Sequence, residues 1–127
     1  MPNYVAKELC NDLYREFIRI KREHESRGIF LSRVEICKII QDGPASRFYI
    51  TSSTALRRVI RQLENKNTLA SRGRRAQMHR ELFRRYLQLR ETYGRERAIQ
   101  MAIEQPAPSY YLSTRSICNL LYNAIKK

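Results

Sequence analysis

The chain has 127 residues, with 25 Lys and Arg against 12 Asp and Glu, a formal net charge of +13. A composition that is 43% hydrophobic and 29% charged belongs to a globular chain with a real core, not to a disordered one. No apolar stretch approaches the roughly 20 residues of a membrane span, and no charged start leads into an apolar run, so a cytoplasmic chain without a secretory leader is expected.

The periodicity is helical nearly throughout, and the expected class is all-α. Asn3 can cap a first helix over about 3–27, with Val5, Leu9, Leu13, Phe17 and Ile20 as its stripe and Gly28 as its stop. Ser32 and Glu35 form a capping box that opens a short second helix carrying Val34, Ile36, Ile39 and Ile40. Asp42-Gly43-Pro44 ends it. Thr51 or Ser52 caps a third helix to about residue 64, with Leu56, Val59, Ile60 and Leu63 on one face. Residues 66–76 read as a basic linker. A fourth helix follows to Tyr93, with Met78, Leu82, Phe83, Tyr86 and Leu89 as its stripe and Gly94 as its stop. A fifth helix covers about 95–104, Pro106-Ala107-Pro108 breaks the chain, and Ser113 caps a sixth.

The second half echoes the first. Pro44-Ala45-Ser46-Arg47-Phe48-Tyr49-Ile50-Thr51 matches Pro106-Ala107-Pro108-Ser109-Tyr110-Tyr111-Leu112-Ser113, and each string ends as the cap of a helix. Downstream, Leu56, Val59, Ile60 and Leu63 correspond to Cys118, Leu121, Tyr122 and Ile125. The pattern predicts two helix-turn-helix-like three-helix repeats, residues 1–65 and 77–127, packed as one compact six-helix unit. Tyr49 and Tyr111 should then occupy equivalent places. One ring of each aromatic pair fits the core, and its neighbour, pointing the other way, could stack on a base.

The string 44–51, with the helix after it, resembles a P-A-x-R-F-Y-[IV]-[ST] segment before a basic helix in small uncharacterised bacterial proteins, often found near mobile elements. Pro44, Ala45, Arg47, Phe48, Tyr49, Ile50 and Thr51 fit it. The later string fits with Ser109 in place of Arg. The resemblance supplies no catalytic residue and implies at most a DNA-related role.

Enzyme signatures are missing from the sequence. His24 and His79 have no Cys, Asp or Glu at metal-ligand spacing and read as surface residues. Cys10, Cys37 and Cys118 are far apart and form no CxxC pair, so free, buried, reduced thiols without metal are expected. The glycines are isolated and make no phosphate-binding loop. A non-enzymatic chain with no cofactor and no metal is the expectation.

The charge is uneven. Residues 66–97 carry 10 basic and 3 acidic groups, net +7, against +4 for residues 1–65 and +2 for residues 98–127. Of the 25 cations 19 are Arg, the better residue for bidentate phosphate and guanine contacts. Arg72, Arg74, Arg75, Arg80, Arg84 and Arg85 are the candidates for neutralising phosphates. Arg57, Arg58 and Arg61, opposite the apolar face of the third helix, are the candidates for entering a groove. The expected function is nucleic-acid binding, DNA rather than RNA and double-stranded. An alternative is an adaptor for an acidic protein. Its apolar contact would centre on Leu120, which faces away from the stripe of the last helix and could equally meet a second copy. Peripheral membrane binding through the fourth helix is a third reading, weakened by the lack of Trp and by Arg on nearly every side.

Overall fold

Apolar stripes with a period near 3.6 become helices in the computed structural model, which describes residues 3–65 and 73–126. The helices are α1 (Asn3–Glu25), α2 (Arg33–Asp42), α4 (Gly73–Tyr93), α5 (Arg95–Glu104) and α6 (Thr114–Lys126). Between α2 and α4 lies α3, made of three consecutive pieces: Ser52–Thr54, a π-helical stretch Ala55–Ile60, and Arg61–Asn65. No strand occurs among the described residues. None of the described helices is long and apolar enough to cross a membrane.

Local signals set the ends. The Gly28 N–H bonds the Glu25 carbonyl and the Ile29 N–H reaches back to His24, with Gly28 at φ 77, so α1 stops where a left-handed residue is tolerated. The box at α2 is complete. Glu35 N–H donates to Ser32 Oγ at 3.2 Å and Ser32 N–H to Glu35 Oε1 at 3.1 Å. The bond from the Ser32 N–H, with the Ser32 side chain adding to it, holds the Glu35 carboxyl below its usual pKa. Thr51 Oγ1 accepts from Thr54 N–H at 3.2 Å, and Ser113 Oγ accepts from Ser116 N–H at 3.1 Å. Both hydroxyls therefore cap as expected.

The helices sort into two compact units, residues 1–45 with 108–127 and residues 46–107. In the first, α6 packs on α1 and α2. Its core is the whole expected stripe of α1, Val5, Leu9, Leu13, Phe17 and Ile20, with Ile36, Cys37 and Ile40 of α2 and Ile117 and Leu121 of α6. In the second, α3 packs on α4 and α5, and Val59, Ile60, Leu82, Tyr86, Ile99 and Ile103 are buried in its core.

This grouping differs from the expected one, in which consecutive trios divide at the linker 66–76. Instead each unit takes its third helix from the other half of the chain, and the divide falls after Ala45 and after Ala107, the same point of both matching strings. The two helices expected to form the helix-turn-helix-like pair, α2 and α3, fall in different units. The physical reason is degeneracy. Two helix pairs with like stripes offer like grooves, and a one-dimensional pattern does not say which groove a third helix fills. Most of the expected linker, 66–72, lies outside the described residues, and its last part, 73–76, is already helix.

Smaller corrections follow from helix phase. On α6 the core face is Ile117 and Leu121, while Cys118 is half-buried and Tyr122 exposed, so the face is turned from the expected one. On α4 the core face runs through Ala76, His79, Leu82 and Tyr86, with Met78, Phe83 and Leu89 half-buried. His79, expected on the surface, is therefore a core residue at 3% exposure, three residues before Leu82 on the same stripe. His24 is half-buried, its Nδ1 2.8 Å from the Ile20 carbonyl.

Candidate nucleic-acid interface

The site is best built from α4, where the arginines divide into two kinds. Arg85 faces inward along the unit, with only 19% of its side chain exposed. Its Nε donates to Glu81 Oε1 at 3.0 Å and its Nη1 to the Pro106 carbonyl, and its guanidinium lies over the Phe48 ring at 5.1 Å. One side chain thus clips the 105–106 turn and the first aromatic ring to α4. Arg90 and Arg95 close on Glu64 at 3.3 and 3.4 Å, and the Tyr86 hydroxyl donates to the same carboxylate. That network ties the end of α3 to α4 and α5.

The second kind faces outward. Arg74, Arg75, Arg80 and Arg84 are exposed. Arg80 and Arg84, four residues apart, share one outer stripe. Arg84 keeps 57% of its side chain in solvent while bonding Glu81. That bond holds Glu81 below the usual carboxylate range and raises the Arg84 guanidinium above its own. No acidic group pairs with Arg74, Arg75 or Arg80 among the described residues. Arg61 is exposed on α3. Arg72 lies outside the described residues, as do the side chains of Arg57 and Arg58.

Of the nine arginines singled out from sequence, Arg61, Arg74, Arg75, Arg80 and Arg84 thus stand on the surface of one unit, and Arg85 is withdrawn into its frame. Arg85 has the same local sequence surroundings as Arg84, and a shift of one residue, about 100° around the helix, separates their roles. Glu64 carries no signal in the sequence, because its partners lie 26 and 31 residues away.

The aromatic pairs do not present the expected stacking ring in the first string. Phe48 and Tyr49 are both buried. Phe48 N–H bonds the Ile103 carbonyl at 3.0 Å, and Arg47 donates to the carbonyls of Phe48 and Ile50. In the second string Tyr110 is buried and Tyr111 half-buried at φ 57, a left-handed conformation that Tyr49 does not share. Leu120 is half-buried, with Asn119 and Tyr122 exposed beside it.

The three cysteines are free, Cys37 buried and Cys10 and Cys118 half-buried. No group of three or more His, Cys, Asp or Glu suited to a metal occurs among the described residues. The chain matches no family model, and comparison with curated proteins and with solved structures gives no match either.

Proposed function

We propose that the second unit binds nucleic acid, double-stranded DNA in the first instance, through the outer face of α4. One observation carries this reading: Arg74, Arg75, Arg80 and Arg84 are exposed on α4, and the first three have no acidic partner among the described residues, whereas Arg85 is drawn into internal ties. Phosphates would be neutralised by those four together with Arg72, and Arg57, Arg58 and Arg61 of α3 would reach toward a groove. The role is one of binding, without catalysis. The test is binding of a labelled duplex, a single strand and a duplex RNA to the full chain over a salt series. Log affinity should fall linearly with log salt, by about 0.9 per phosphate neutralised on duplex DNA. No binding at low salt would overturn the reading and leave the adaptor for an acidic protein, with Leu120 and Tyr122 as its contact.

We also read the chain as a duplication of a helix–helix–loop–helix element whose third helices have changed places. Support comes from the matching strings 44–51 and 106–113, from their hydroxyl caps, and from the divide that follows the alanine of each.

A further inference from the structure

Two thiols meet inside the first unit. The register of α2 against α6 is fixed by Gln41, whose Oε1 accepts from Thr114 Oγ1 at 2.6 Å and whose Nε2 donates to the Leu112 carbonyl at 3.4 Å. One turn back along α2 from Gln41 is Cys37, and one turn forward along α6 from Thr114 is Cys118. With α2 packed on α6, these positions bring the two thiols near enough to act on each other electrostatically. Cys37 is fully buried, whereas Cys118 keeps part of its surface in solvent.

We propose that Cys37 and Cys118 form an oxidation site, which a hydroperoxide converts into a disulfide tying α6 to α2. The Cys118 sulfur, the reachable one, attacks a peroxide oxygen. The O–O bond breaks, and the departing oxygen leaves as water, or as an alcohol from an organic hydroperoxide, with the thiol proton. Cys118 is then a sulfenic acid. The Cys37 sulfur attacks it, the S–O bond breaks, and the hydroxyl leaves as water with the Cys37 proton. Two thiols lose two electrons in all and the peroxide gains two.

The order of the steps follows from burial. Desolvation, with the neighbouring Cys118 thiol adding to it, pushes the Cys37 thiol up to about 12. With no surface in solvent, Cys37 is closed to a peroxide from outside, so Cys118 reacts first and Cys37 resolves the sulfenic acid held beside it, giving up its proton as its sulfur attacks. The bridge spans 81 positions of sequence, from 37 to 118, and so closes most of the chain. It goes beyond nucleic-acid binding and does not depend on it, since both thiols lie in the first unit.

The test treats the full chain with hydrogen peroxide, alkylates it under denaturing conditions and maps the peptides by mass. The expected product has lost two hydrogens, has Cys37 joined to Cys118 with Cys10 alkylated, melts at higher temperature than the reduced chain, and reverts with dithiothreitol. Cys10→Ser should still form the bridge. Cys37→Ser should stop at a Cys118 sulfenic acid that dimedone traps, and Cys118→Ser should form no intramolecular bridge. The inference is overturned by a bridge that includes Cys10, by bridges only between chains, or by over-oxidation of Cys118 while Cys37 still alkylates. The wild-type peptide map alone decides among these, whether or not the variants fold.

Discussion

The two units have a common frame and unlike surfaces. Each sets a pair of helices against a third that a hydroxyl opens, Thr51 in one and Ser113 in the other. The first unit balances its charge locally: on α1, Arg19 bonds both Glu16 and Glu23, and Arg27 returns to Glu23. Its residues carry 11 basic and 7 acidic groups, net +4, against 14 and 5, net +9, in the second. Folding needs the stripes and caps, which both units have. It does not need the cationic excess, which one unit has, so that excess is what the frame carries rather than what holds it together.

The largest effect should separate the two aromatic pairs. Phe48 is enclosed by its unit and covered by Arg85, so Phe48→Ala should cost about 3–5 kcal/mol in denaturant unfolding. Tyr110→Ala, at the other string, removes a ring that keeps some exposure and should cost less. Equal losses would mean that the two loops bear on their cores alike.

Binding should then divide along the two kinds of arginine. Reversing Arg80 and Arg84 together should lower affinity for duplex DNA about tenfold or more, some 1.4 kcal/mol at least. The salt dependence should flatten by about 0.9 for each phosphate that is no longer neutralised. Reversing Arg15 and Arg22 of α1 should change binding little. Arg85→Ala should act the opposite way, lowering stability by about 0.5–1.5 kcal/mol through the lost bonds to the Pro106 carbonyl and Glu81 while leaving the salt slope alone. If Arg85 governs binding as strongly as Arg80 and Arg84, the division into structural and surface arginines fails.

The caps test what the units have in common. Thr51→Ala and Ser113→Ala should each cost about 1 kcal/mol by chemical denaturation, and by similar amounts. A large difference would set the π-helical stretch that follows Thr51 apart from the α-helix that follows Ser113.

How much of this can be read from the chain depends on the range of the interaction. Stripes, caps and stops are encoded within a few residues, so the α1 stripe, the Ser32–Glu35 box and the caps at Thr51 and Ser113 are legible. The grouping of α3 with α4 and α5, and of α6 with α1 and α2, is not, because matching stripes make partner choice degenerate. Nor is the turn of the core face on α6, or the inward aim of Arg85, each a matter of one residue of helical phase. The Glu64 network and the Cys37–Cys118 pair join residues that only the fold brings together. The outer stripe of α4 is legible as charge, since an arginine-rich run has few ways to hide every guanidinium.

The smallest effect links that surface to pH and compares one carboxylate from each unit. Glu81 lies below its usual range chiefly through the hydrogen bond from Arg84, with Arg85 adding to it. Glu35 lies below its range through the backbone N–H of its own cap. In each case the folded value is depressed. The stabilisation is therefore complete above the unfolded glutamate value of about 4.3 and is lost as pH falls through the folded value. A carboxyl titration followed by NMR should show both midpoints low, and Glu81→Gln should flatten the loss of stability in that acid window. The two should part when duplex DNA is added. A phosphate that draws Arg84 away from Glu81 removes the main cause of its depression, so its midpoint should rise toward the usual range while that of Glu35 stays put. Salt should move Glu81 in the same direction, and more than Glu35, because Arg84 is more than half exposed and open to screening. A Glu81 midpoint that ignores bound DNA would mean that Arg84 keeps its carboxylate in the complex and that the phosphates are met by Arg74, Arg75 and Arg80.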